Sequence, residues 1–333
     1  METQFGTTLL PNADDVRETI TRLIDRLETS LRHLLLEVWD SPEHNARAEE
    51  KLKRIFSGQG HPDSCIYAAH DAMLNAALSQ DEPGFERACL EFLQLPDQVQ
   101  ASGLRVRGLS EKELGPTACD LLRRAYCDDA GLTADLRAPG VEGTKQAVAK
   151  INLAREMLQT YAPDWAREFD LLAPQIYLAV NEDPTKSGFG GATVFAAFGS
   201  ILVNSDKIDR LPTILMTLVH ESSHAKLFLY HLDDPVLLNK DTERYTSPLR
   251  SSPRPMEGIF HAAWVSARMV QSATCILDNG FCGPDAEELR RQSTQASIIY
   301  QDCATEIQRH ARMTPLGRQL FDDAQRAMSD VRC

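Results

Sequence analysis

The strongest indication of the fold is one long apolar run, Leu211-Pro-Thr-Ile-Leu-Met-Thr-Leu-Val-His220-Glu-Ser-Ser-His224-Ala-Lys-Leu-Phe-Leu-Tyr230. Its composition is typical of a buried helix, and Pro212 suits a first helical turn. Residues four apart share one face of a helix, about 6 Å apart along the axis. His220 and His224 can therefore bind one metal ion, with Glu221 beside them. The run predicts a buried helix that carries an H-E-x-x-H metal site.

A short H-E-x-x-H match also arises by chance, so its surroundings matter. Here the motif lies between apolar residues on both sides. Burying three ionisable groups without partners in such a helix is energetically unfavourable. A bound metal removes that penalty, which favours metal binding over a chance match.

A catalytic metal needs a third protein ligand. His231 lies eleven residues after His220, which on a continuing helix is about 16 Å along the axis and too far to share the ion. We interpret it as a helix-end histidine or one that contacts a ligand. Glu257 and His261 are four apart at the start of the next predicted helix. His261 is the favoured third ligand because an imidazole deep in an apolar stretch otherwise lacks a partner, and Glu257 is the alternative.

Two histidines with a third histidine or a carboxylate suit either Zn(II) or Fe(II). The segment before His261 carries Ser247, Arg250 and Arg254. A guanidinium binds a carboxylate in bidentate fashion, as the distal carboxylate of 2-oxoglutarate would require. Two other interpretations stay open: solvated arginines on a loop, or an arginine that holds the terminal carboxylate of a peptidase substrate.

These residues resemble a known family. His220-Glu-Ser-Ser-His224, Tyr245-Thr-Ser-Pro-Leu-Arg250, Arg254-Pro and Gly258-Ile-Phe-His261-Ala-Ala are similar to the HExxH-type 2-oxoglutarate-dependent peptide β-hydroxylases, which act on ribosomally made peptides. The resemblance covers about residues 211–270. It implies a non-haem Fe(II) oxygenase outside the double-stranded β-helix fold.

Carried over residue by residue, the resemblance implies iron ligation by His220, His224 and His261. It places the 2-oxoglutarate cosubstrate at Arg254 or Arg250, with Ser247 in the same site. In an oxygenase Glu221 would orient a ligand or a bound water, whereas in a peptidase it would be the general base.

The expected function is therefore hydroxylation of an amino-acid side chain, at the β-carbon, in a peptide or amino-acid substrate. A precursor peptide with a leader is one possible partner. The alternative enzyme is a zinc metallopeptidase that uses Glu221 as base. A third hypothesis is a non-catalytic peptide-binding protein with a structural metal.

The bulk composition limits the partners. The formal net charge of −13 argues against a nucleic-acid surface and against an anionic membrane as partner. The start of the chain lacks a basic region followed by an apolar one, and no run approaches the ~18 apolar residues of a membrane span. We expect a cytoplasmic protein.

The pattern along the chain predicts a mostly helical α+β protein with a small antiparallel sheet next to the motif helix. We predict a helical N-terminal region, 1–165, and a metal-binding catalytic region, 166–333. Helices are expected near 14–39, 44–57, 64–79, 84–94, 111–127, 144–161, 257–279, 284–312 and 315–331, and strands at 175–180, 192–198 and 200–204.

Overall fold

A computed structural model gives the architecture. It describes residues 8–39, 41–58, 60–96, 103–130, 136–181, 189–248 and 252–330. None of the helices in this part of the chain is both long enough and apolar enough to cross a membrane.

The described residues form a mostly helical α+β structure, as predicted. The elements in chain order are α1 Ala13–Arg32, a π-helical turn His33–Val38, α2 Asn45–Phe56, α3 Ser64–Leu78, α4 Glu82–Gln94, β1 Arg105–Gly108, α5 Glu111–Leu114, α6 Pro116–Ala130, β2 Leu136–Arg137, α7 Val141–Tyr161, α8 Pro163–Leu172, β3 Gln175–Asn181, β4 Gly191–Ala192, a 3-10 turn Phe195–Ala197, β5 Ser200–Asn204, α9 Leu211–Tyr230, α10 Met256–Asp278, α11 Pro284–His310 and α12 Pro315–Asp330.

The predicted helices agree closely with these bounds because their apolar residues follow the helical period. In α1, for example, the buried side chains are at helical spacing, and they include Val16, Ile20, Leu23 and Leu27. Three elements were missed, strands β1 and β2 and helix α8. All are short, and the four residues of β1 lack a run of apolar side chains that would indicate a strand.

The sheet is mixed, so the prediction of an antiparallel sheet was wrong. Its strand order is β1-β3-β5-β4. The strands β1 and β5 run parallel to β3, whereas β4 is antiparallel to β5, and β2 pairs antiparallel with β3 off this path. The predicted strand 192–198 is instead the two-residue β4 followed by the 3-10 turn. This connection lets the chain return to the start of β3 before β5 begins, which makes the two strands parallel.

The chain forms two compact units, each made from more than one stretch. One contains residues 1–16, 149–169 and 208–333, and the other contains 17–148 and 170–207. The first unit, called the histidine unit below, contains the motif helix, and the second contains the sheet. The predicted domain division at 165/166 stays a prediction.

The core of the histidine unit surrounds helix α10. Buried side chains from α9 to α12 meet there, and they include Leu227, Ile259, Trp264, Ile307 and Phe321. Helix α9 begins with Pro212 in its first turn and ends at Tyr230. This packing holds α9 against α10, the two helices that carry the predicted metal ligands.

Candidate metal centre

Helix α9 brings together the two motif histidines. The Nε2 atoms of His220 and His224 are 3.3 Å apart. Two nitrogens that each lie about 2.0–2.1 Å from one tetrahedral ion would be about 3.3–3.4 Å apart. The pair therefore has the spacing of two ligands of a single ion.

Helix α10 adds the predicted third histidine. The Nδ1 of His261 lies 3.0 Å from the Nδ1 of His224. The rings of His224 and His261 stack with their centroids 5.3 Å apart. The ring of Phe228 also contacts that of His261, with centroids 5.7 Å apart. Three imidazoles from two helices thus form one continuous group.

His261 meets the nitrogen of His224 that faces away from His220. The two contacts of His224 therefore use different nitrogens of its ring. No choice of one ring nitrogen from each of His220, His224 and His261 places the three atoms within 4.8 Å of one another. Binding of one ion by all three histidines stays a prediction.

The surroundings favour neutral imidazoles, the form that binds metals. The protein atoms packed around its ring lower the pKa of His220, which is only partly buried. Burial lowers the pKa of His224 well below its ordinary value, and the neighbouring His220 and His261 add to the effect. One side of the group stays accessible, since 41% of the His220 side chain is exposed.

Glu221 lies beside this group and is buried. Its Oε1 is 4.0 Å from His220 Nε2, and 5% of its side chain is exposed. On the other side, the Nδ1 of His220 contacts the sulfur of Met269 at 3.4 Å. This contact orients the ring so that Nε2 faces His224.

His231 contacts both candidates for the third ligand, Glu257 and His261, which its place in the sequence did not indicate. Helix α9 ends one residue before it, so His231 is at the helix end, as one of the two interpretations expected. Its Nε2 lies 3.1 Å from Glu257 Oε1, and the same oxygen hydrogen-bonds with His261 Nε2 at 2.9 Å. Among the described residues, this is the only set of three whose possible ligand atoms all lie within 4.8 Å of one another. His231 contacts His261, with ring centroids 6.0 Å apart, and the prediction that it lies too far from His220 to share an ion with it stays a prediction.

The arginine segment is only partly described. Arg250 lies outside the described residues, and Ser247 is half-buried. Arg254 pairs with Tyr245 through two backbone hydrogen bonds of 2.9 Å each. Its guanidinium lies over the first turn of α10, where a Cβ on Gly258 would be 3.8 Å from Nη1. Gly258 is on the same helix as His261, three residues before it, so the described arginine lies near the start of the helix that carries the third histidine.

A buried ionic network supports the site from the other side of α9. Glu168 accepts hydrogen bonds from Lys226 Nζ at 2.7 Å and from Arg268 Nη2. Arg268 Nε also donates to the hydroxyl of Ser223, inside the motif, at 3.0 Å. The side chains of Glu168, Lys226 and Arg268 are at most 2% exposed. The network ties the middle of α9 to α10. None of its ion pairs was predicted from the sequence.

Comparison with known proteins adds no family assignment. No family model matches this chain, and no curated protein is significantly similar to it. The case for function therefore depends on the residues of the site.

Proposed function

We propose that this protein is an Fe(II)/2-oxoglutarate-dependent oxygenase that hydroxylates an amino-acid side chain, at the β-carbon, in a peptide or amino-acid substrate. The observation that carries the proposal is the continuous group of His220, His224 and His261, with the guanidinium of Arg254 near Gly258 on the helix that carries His261. The proposed ligands are these three histidines.

The ligand set suits an ion with open coordination positions. Three neutral imidazoles leave room on an octahedral ion for further ligands. When bound, iron and 2-oxoglutarate would supply the oxidising chemistry. The protein would hold the three imidazoles. The lowered pKa values of His220 and His224 favour their neutral form, and the exposed part of His220 leaves that side open to substrate.

Arg254 is the proposed anchor for the distal carboxylate of 2-oxoglutarate. Its guanidinium lies along the first turn of α10, against Gly258. Gly258 is three residues before His261 in the sequence. A bidentate ion pair there would fix the cosubstrate relative to the histidines.

The test is anaerobic addition of Fe(II) and then 2-oxoglutarate to the metal-free protein. We expect an absorption band in the visible that needs both components. The band should disappear in His261→Ala and weaken strongly in Arg254→Gln. Arg244→Gln is the matched control, since Arg244 is an exposed arginine of the same loop, and it should leave the band unchanged.

The absence of any band, together with peptide hydrolysis restored by zinc alone, would contradict the oxygenase and support the second candidate. That candidate is a zinc metallopeptidase, and the position of Glu221, 4.0 Å from His220 Nε2, favours it. A carboxylate there could accept a proton from a metal-bound water. Glu221→Gln should then abolish turnover while zinc stays bound, whereas an oxygenase would keep measurable activity.

A further inference from the structure

A second group of metal-binding side chains lies next to the proposed iron ligands. His231 comes from the end of α9, and Glu257 and His261 come from the first two turns of α10. Their ligand atoms lie within 4.8 Å of one another. Two imidazoles and one carboxylate form a ligand set that Fe(II), Mn(II) and Zn(II) accept.

The distances in this group match those around one ion. Glu257 Oε1 is 2.9 Å from His261 Nε2 and 3.1 Å from His231 Nε2. Adjacent ligands of an octahedral ion, each about 2.1 Å from the metal, would be about 3.0 Å apart. A carboxylate oxygen between two imidazole nitrogens therefore has the separation expected of neighbouring ligands.

Hydrogen bonds within the group do not account for the buried Nε2 atom of His231. Its Nε2 is enclosed by protein and makes no hydrogen bond in the structure. The contact with Glu257 at 3.1 Å does not have the direction of a hydrogen bond. Buried polar atoms nearly always have a partner. A metal ion in front of Nε2 would satisfy this nitrogen, and it would use the same side of Glu257.

His261 presents its two nitrogens to two different groups. Nδ1 faces His224, and Nε2 faces Glu257. To bind an ion through each nitrogen, the ring would lose its remaining N–H proton to solvent and bridge the two ions as an imidazolate, without moving. The exposed fractions of Glu257 and His231, 39% and 23% of each side chain, give a path from solvent to the second group.

We propose that His231, Glu257 and His261 form a second binding site for a divalent transition-metal ion, distinct from the His220–His224 pair. The ion ties the C-terminal end of α9 to the first turns of α10. It also fixes the ring plane of His261 from the side opposite His224. The site does not depend on the oxygenase proposal, because it concerns binding of the ion alone.

The experiment counts Zn(II) bound to the chelator-stripped full chain after equilibrium dialysis, by elemental analysis. We expect two ions per chain in the wild type and one in each of His231→Gln, Glu257→Gln and His220→Gln. His310→Gln is the control, since its side chain is 45% exposed and lies on α11, and it should keep both ions. Circular dichroism checks that each variant is folded, and Glu257→Gln gives a second reading if His231→Gln does not fold.

Two results would overturn the second site. In the first, both His231→Gln and Glu257→Gln keep the wild-type number of ions, so that Glu257 only orients His261. In the second, the wild type holds one ion that His220→Gln and His231→Gln each remove, which indicates one shared centre. A wild type with one ion, lost in His231→Gln and kept in His220→Gln, would support this site and contradict the proposed iron ligands.

Discussion

Replacement of Glu168 by Gln tests the buried ionic network behind the site. Glu168 is 1% exposed and accepts hydrogen bonds from Lys226, from Arg268 and from the backbone N–H of Asn12 at 2.9 Å. Burial opposes its ionisation, but Arg268 and Lys226 outweigh that effect and hold the pKa of Glu168 below its ordinary value. The carboxylate is thus the anion that balances two buried cations.

The expected loss is large because the cations stay buried after the anion is gone. Removing one partner of a buried ion pair destabilises a protein by about 3–5 kcal/mol. In a unit of 150–250 residues, each kcal/mol lowers the melting temperature by about 2–4 °C. We therefore expect Glu168→Gln to lower the melting temperature of the histidine unit by roughly 6–20 °C.

The assay is urea unfolding and thermal melting, followed by circular dichroism. Arg167→Gln is the matched control, since it lies next to Glu168 on α8 but has 66% of its side chain exposed. Its exposed pair should contribute little. A double-mutant cycle of Glu168→Gln with Lys226→Met should show a smaller loss than the sum of the two single changes. If Glu168→Gln were as stable as Arg167→Gln, the network would have no such role.

Three further predictions concern other contacts. Burial lowers the pKa of His70 to about 4, so below about pH 6.5 the unfolded chain binds a proton that the folded chain does not. As the pH falls from about 6.5 to about 4, the free energy of unfolding should therefore decrease by at most about 1.4 kcal/mol per pH unit. Urea unfolding across this range should show a smaller decrease in His70→Gln. Gly317→Ala should destabilise the protein by about 1–3 kcal/mol, because its Cβ would lie 2.1 Å from the carbonyl oxygen of Val236, and an unchanged melting temperature would contradict this. Asp323→Asn should lower stability by about 1–3 kcal/mol, because the buried carboxylate accepts hydrogen bonds from the backbone and hydroxyl of Thr8; limited proteolysis should then cleave near Thr8 faster than in the wild type.

Most helices could be predicted because their signals are local. Apolar residues at helical spacing, a proline in the first turn and glycine or proline between segments all lie within a few residues of the structure that they indicate. Helices α10 and α11, for example, begin at Met256 and Pro284, close to the predicted starts at 257 and 284. The strand directions were not predictable in this way, because whether β3 and β5 pair in parallel depends on the path of the chain between them.

In the candidate site, too, contacts within one helix could be predicted from the sequence, whereas contacts between distant residues could not. The spacing of His220 and His224 follows from one helical turn, and their Nε2 atoms are 3.3 Å apart. The positions of Arg268 and Glu168 could not be read from the sequence, since a buried charge is recognisable only when its partner is known. Their partners are 45 and 100 residues away along the chain.

Two histidines on one face of a buried helix could be predicted from the amino-acid order alone, because helix geometry fixes the separation of residues four apart. Which side chains join these histidines depends on tertiary contacts. Helix α9 ends at Tyr230, and the chain returns as α10, so that His231 and Glu257 meet at 3.1 Å and His224 and His261 meet at 3.0 Å. Contacts between helices depend on where each helix ends and on the core that packs them, and neither is encoded in the spacing of a local motif.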